Sequence, residues 1–367
     1  QPHRRARRSL ARTELRAGGR RGARGGRSRT AERRSGCSSA GGSGGSRAAG
    51  SGQPQNVTVQ GGGLTLNGSV RTLPGNLTLS AGTLSLASGG DLSVGGNWNH
   101  TGGTFTHNNV GVWFIGSSAE SLYANGGESF GYLLLNNSSG GVRLGSNLTV
   151  TASSGSPLQL LGAGALNLYG NTLTLSNNGG SILASGGTRS INGSSGTIAV
   201  TGSKSVTSAS SGVLSIGSGV TLSLSNSLDC GSGLTNMAGT VLINASGSVL
   251  NNQPVYQSGS TLKYNVNATY GRSAEWASGA SSEPTNVWLT NNSVLNYPNG
   301  GGNFAHTIGG NLTIDAGSAL YMDYGSPATG VGLLTVNGDV TMSGNLSLGN
   351  QAGGDLKIGG NFTRNGS

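Results

Sequence analysis

Histidines and carboxylates are the side chains best suited to chemistry in this sequence, and they are few and scattered. The imidazoles are His3, His100, His107 and His306. His100 and His107 stand close in sequence around Gly102-Gly103, with no neighbouring carboxylate or cysteine to complete a metal shell, so both read as surface turn residues. A polysaccharide lyase or hydrolase centre needs clustered acids with Arg or Lys to stabilise developing charge. The acids beyond residue 52 stand mostly alone, and Asp315 and Asp323 with Tyr321 and Tyr324 form the one local group. Asp315 opens the phrase Asp315-Ala316-Gly317, where a turn-capping role is expected. Gly231-Ser232-Gly233 has no helix behind it to receive a phosphate, and the calcium-binding nonapeptide is missing. The sequence therefore predicts no catalytic residue, no metal ligand and no cofactor.

Aromatic side chains are the remaining candidates, because an exposed Trp or Tyr can stack on a sugar ring. Trp113 and Trp288 fall inside apolar runs and are expected to pack in a core. Trp98, Trp276, Tyr321 and Tyr324 are the candidate glycan contacts. A flat Thr-x-Thr face would instead order water and bind ice. Thr104-Phe105-Thr106 and Thr172-Leu173-Thr174 fit that pattern, but most comparable phrases carry Ser, Asn or one Thr, so no regular array is expected.

These residues are positioned by a repeating phrase: Gly, Asn or Asp, apolar, Ser or Thr, apolar. It reads Gly75-Asn76-Leu77-Thr78-Leu79, Gly310-Asn311-Leu312-Thr313-Ile314 and Gly338-Asp339-Val340-Thr341-Met342. Each copy is a turn signal followed by period-2 alternation, the pattern of a strand with one buried face. So short a strand cannot bury its apolar face alone, and many copies imply stacked turns of roughly 20–25 residues. Asn at the corners is expected to hydrogen-bond along the stack. Strand segments include Leu64–Leu66, Thr83–Leu86, Leu166–Leu168, Leu173–Leu175 and Thr221–Leu224, and no capped helical pattern interrupts them. The expected fold is all-β, a right-handed parallel β-helix (β-solenoid) with irregular rungs over residues 53–367. A tandem of β-sandwiches is the alternative, and would show longer strands with Greek-key connections. The decad from Gly89 to Trp98 recurs from Gly353 to Phe362, so the chain reads as a slice of a longer array, truncated at both ends.

Charge divides the chain in two. The formal net charge is +10, yet residues 1–50 hold 14 Arg, no Lys and two acids, leaving the rest nearly neutral. Residues 1–52 read as a disordered Arg/Gly/Ser-rich leader, and arginine without lysine marks it as an artefact of a misread start rather than a nucleic-acid-binding arm. No nucleic acid is expected to bind the body. Two cysteines make no disulfide framework, and no apolar run is long enough to span a membrane.

The stretch from Gly90-Asp91-Leu92-Ser93-Val94 through Gly96-Asn97-Trp98-Asn99 and Val112-Trp113-Phe114-Ile115 to Leu134-Leu135-Asn136-Asn137 resembles a recurring unit of repetitive surface proteins. Those are the β-helical proteins of Bacteroidota-type bacteria, often exported by type IX secretion. Autotransporter passengers and filamentous-haemagglutinin-like adhesins are a close second resemblance. The resemblance implies an extracellular or cell-surface, outer-membrane-associated location and a structural or adhesive, non-enzymatic role. Its implied partners are glycans, host or neighbouring-cell surfaces and further repeats of the same polypeptide. The alternative is a polysaccharide-binding or polysaccharide-degrading β-helix protein.

Overall fold

The computed structural model describes residues 54–67, 71–125, 128–277, 283–299, 305–322, 332–348 and 354–366. All fall within one unit, Ala40–Ser367. The Arg-rich leader, residues 1–52, lies outside the described residues, as do Asp323 and Tyr324.

Alternation of apolar and small polar residues produces short strands, and each pairs in parallel with its counterpart one turn away. Leu173 pairs with Ile198, Ile198 with Leu222, Leu222 with Val241, Val241 with Leu262 and Leu262 with Val287. The fold is thus a parallel β-solenoid of about 12 turns. Parallel pairing throughout the described strands removes the β-sandwich alternative, which is built from antiparallel sheets. A turn takes as few as 19 residues, from Leu222 to Val241, and as many as 28, from Leu312 to Val340. That range is wider than the phrase spacing predicts, because corner loops vary while strands stay fixed. The one described helical element is a single turn of 3-10 helix, Ala274–Trp276.

Three long sheets of 11, 9 and 11 strands form the faces of the stack. The first runs from Val57–Leu66 to Val255–Tyr256, and the second from Arg71–Leu73 to Ser248–Val249. The third runs from Ser129–Phe130 to Phe362–Arg364. Beyond Tyr256 the first two faces give way to smaller sheets of 4 and 3 strands, which begin at Thr269–Gly271 and His306–Ile308.

Columns of aliphatic side chains fill the interior. Leu173, Ile198, Leu222, Val241, Leu262, Val287, Leu312 and Val340 form one such column, each almost wholly buried. Burying a side chain of this size is worth roughly 1.5–3 kcal/mol, which is the main cohesion between turns.

The repeated phrase has a second role at the corners. The side-chain oxygen of its Asn or Asp accepts a backbone N–H from the following turn. Asn56 accepts from Asn76 and Asn76 from Asn97, each at 2.7 Å. Further along, Asn286 accepts from Asn311 at 3.0 Å, Asn311 from Asp339 at 2.8 Å and Asp339 from Asn361 at 2.7 Å. The preceding glycine makes room for this clip. A Cβ on Gly96 would lie 2.6 Å from Asn76 Oδ1, and one on Gly338 would overlap Asn311 Oδ1. The phrase is therefore glycine followed by Asn or Asp for steric and hydrogen-bonding reasons together.

Candidate functional site

The tryptophans occupy the reverse of their expected places. Trp98 and Trp276, read as glycan contacts, are both fully buried and offer no face to a sugar. Trp98 lies in the core column between Leu77 and Leu122, meeting Phe105 and Phe130 edge-on. Trp113 and Trp288, expected in the core, stand on outer faces instead. Trp113 donates its indole N–H to Asp91 at 2.9 Å, and Trp288, 36% exposed, donates to Asp315 at 2.8 Å. Asp315 thus holds an indole on the neighbouring turn. Tyr321 is half-buried on the strand Ala319–Tyr321.

The histidines also differ from expectation. His100, expected in a surface turn, is buried, and so is His306, for which no position was expected. Folding brings Glu128 to His100, with Oε1 2.8 Å from Nδ1 but out of line with the ring N–H. Burial pushes the Glu128 carboxyl up to about 7, against the opposing influence of His100 and Trp98. His107 instead accepts the Asn109 N–H at 2.9 Å. Among the described residues no group of three or more His, Cys, Asp or Glu could hold a metal ion.

The densest polar cluster surrounds Glu275, and sequence reading missed it. Its fully buried carboxylate accepts from Tyr264 at 3.1 Å, Tyr270 at 3.2 Å and the Ser273 N–H at 2.9 Å. Tyr256 donates to the Glu275 carbonyl at 2.8 Å. Burial raises the Glu275 carboxyl, while these donors oppose the rise. Arg272 reaches the carbonyls of Tyr297 and Trp276 at 2.8 and 2.6 Å. Trp276 donates to Glu283 at 2.8 Å, and Trp276, Tyr297 and His306 pack ring against ring. The donors to the Glu275 carboxylate lie within one turn of chain, while Tyr256 and Arg272 make the bonds that span a turn, to the Glu275 and Tyr297 carbonyls. No repeated phrase announces the cluster.

Other titratable groups are similarly committed. Glu120 is buried and accepts from Asn137 and from the Gly116 N–H. Asp229 accepts from Asn251, Asn252 and the Gly231 N–H, which hold its carboxyl below the usual range despite burial. Lys204 sits among the carbonyls of Ser176, Asn177 and Ser203, and burial lowers its ammonium. Burial and the charge of Asp229 push the Cys230 thiol far up, away from nucleophilic use.

What faces solvent is a set of polar columns with aromatic–cation pairs among them. Lys263 Nζ lies 3.3 Å from the centre of the Trp288 ring, and the Arg143 guanidinium 3.9 Å from that of Tyr169. Tyr123 and Tyr169 are 45% and 56% exposed. Thr172, Thr197, Thr221, Thr240 and Thr261 stand in register on the outside of the third sheet. This threonine column was not expected from the sequence. It is one residue wide, since the column beside it reads Thr174, Ala199, Ser223, Leu242 and Lys263.

Comparison with known protein families, with curated proteins and with solved structures finds no match for this chain.

Proposed function

We propose that this chain is a structural and adhesive β-solenoid segment of a bacterial cell-surface protein, working outside the cell and without catalysis. The observation that carries the reading is the commitment of six acids to hydrogen bonds within the stack. Glu120, Glu275, Asp91, Asp229, Asp315 and Asp339 all accept hydrogen bonds from other groups of the stack. The outer faces carry small polar side chains and exposed aromatic–cation pairs, a surface suited to weak contacts repeated along a scaffold. Such contacts sum by avidity where geometry lets them engage together.

Those exposed pairs also favour the polysaccharide-binding form of the alternative reading. A glycan array run beside lyase and hydrolase assays on the full chain tests both. Binding without turnover is expected. Cleavage of a polysaccharide, abolished by Asp315→Ala, would overturn the non-catalytic role.

A further inference from the structure

Tyr123 and Arg143 lie on successive strands of the first sheet, and Tyr169 stands in the turn just after the next strand, Leu166–Asn167. Register fixes their order: Leu122 pairs with Leu144, and Arg143 pairs with Ser121 on one side and Asn167 on the other. Neighbouring strands stand about 4.8 Å apart, so the two tyrosines are separated by about 10 Å along the stack. Gly145, two residues beyond Arg143 and exposed, lies against Tyr123 and fills none of the space beside it.

Arg143 lies with its guanidinium over the Tyr169 ring, 3.9 Å from the centre. This contact orients the planar fork while leaving its N–H edges available for a carboxylate. No carboxylate pairs with Arg143 among the described residues. The strands of this sheet hold two cations, Arg143 and Arg189, and one acid, Glu120. Glu120 is buried and bonded to Asn137, and Arg189 is turned onto the Ser185 carbonyl. Arg143 is therefore an uncompensated exposed cation stacked on Tyr169, with the exposed Tyr123 on the preceding strand, against Gly145.

We propose that Tyr123, Arg143 and Tyr169 form a binding site for a carboxylated sugar, a uronic-acid unit of an acidic polysaccharide. Arg143 takes the carboxylate through its free N–H edge, Tyr123 receives the apolar face of the pyranose ring, and Tyr169 holds the guanidinium in place. A single cation beside exposed rings matches one carboxylate per sugar better than a dense run of phosphates. This site deepens the adhesive reading above and rests on it.

The test is calorimetric titration of the full chain with trigalacturonate, with maltotriose as the neutral arm and a sulfated trisaccharide as the charge-only arm. Trigalacturonate is expected to bind and maltotriose not to. Arg143→Ala should weaken binding about tenfold, the scale of one charge-assisted hydrogen-bonding contact. Tyr123→Ala and Tyr169→Ala should each weaken it a few-fold. All three positions are exposed, so these variants should keep the parent's thermal midpoint. The arginine-rich leader is common to every variant, and its attraction for anions cancels in the comparison. Unchanged trigalacturonate binding in Arg143→Ala would overturn the site while leaving adhesion through other surfaces intact. Loss on Arg143→Ala without loss at either tyrosine, or a larger fold-loss of the sulfated arm than of trigalacturonate on Arg143→Ala, would reduce it to bare charge and equally overturn it. An array that captures no glycan at all would instead overturn the adhesive reading itself.

Discussion

Between Thr172 and Ile243 the third sheet faces inward with Leu173, Leu175, Ile198, Val200, Leu222, Leu224, Val241 and Ile243, all buried and all aliphatic. Between Tyr256 and His306 the aliphatic columns continue through Leu262, Val287 and Leu289, but the interior also holds Tyr256, Tyr264, Glu275, Trp276, Tyr297 and His306. The two regions share a strand geometry and differ in what joins one turn to the next. The aliphatic region coheres by volume, so its turns are nearly interchangeable. The Glu275 region coheres by specific hydrogen bonds, and it lies where two of the long sheets stop and the smaller ones start. A handover between sheets removes backbone continuity on those faces. Hydrogen bonds to Glu275 and from Arg272 tie the chain together there, while the Tyr297 hydroxyl and both His306 nitrogens are buried without a hydrogen-bond partner among the described residues.

This contrast can be broken most decisively at Glu275. Glu275→Ala strands two tyrosine hydroxyls and a backbone N–H in the interior and should cost about 4 kcal/mol, whereas Glu275→Gln keeps an acceptor and should cost clearly less. Urea unfolding of both variants checks this, and equal losses would mean that the cluster acts by volume after all. In the aliphatic region Leu222→Ala should cost about 3 kcal/mol by opening a cavity, and Leu222→Met much less. A polar-region response there, with shape-conserving swaps as damaging as truncation, would erase the distinction.

Burial of Glu128, against the opposing influence of His100, sets a pH dependence that the aliphatic turns lack. The folded-state carboxyl of Glu128 lies at about 7, above its ordinary 4.5. Its stabilising contribution is therefore fully present below pH 4.5 and is lost as pH rises through about 7. Urea midpoints measured at pH 4.5 and 8 should differ by an equivalent of about 2–3 kcal/mol at this site, and Glu128→Gln should flatten the difference. The corner clips should respond more weakly. Gly338→Ala should cost about 2 kcal/mol because its Cβ overlaps Asn311 Oδ1 and the Gly310 backbone. Asn311→Ala, which removes one clip at a solvated corner, should cost about 1 kcal/mol by thermal unfolding.

Alternation and the glycine–asparagine phrase made the strands, the stacking and the corner hydrogen bonds legible in the sequence, because each is a local pattern repeated. Inside and outside were harder. Trp98 stands between two asparagines and Trp288 between Val287 and Leu289, yet it is Trp98 that joins the core column with Leu77 and Leu122 and Trp288 that carries Lys263 on its ring. The threonine column was hidden by uneven turn lengths: Thr197 to Thr221 is a longer step than Thr221 to Thr240, so no fixed spacing reveals it. His100 and Glu128 meet because a full turn of chain lies between them, and an interval that varies from turn to turn cannot be read from composition. Tyr123, Arg143 and Tyr169 were overlooked for the same reason.

The corner clip has a direction. In every Asn or Asp clip described above, the oxygen belongs to the earlier turn and the N–H to the later one. A finished turn thus displays, along one rim, the acceptors and the glycine-sized gaps that its successor needs, and its own register is already settled. Growth of the stack in chain order then resembles copying from a template, with each turn checked for fit before the next arrives. A chain that leaves its exit channel amino end first would meet those templates in the order in which it can use them.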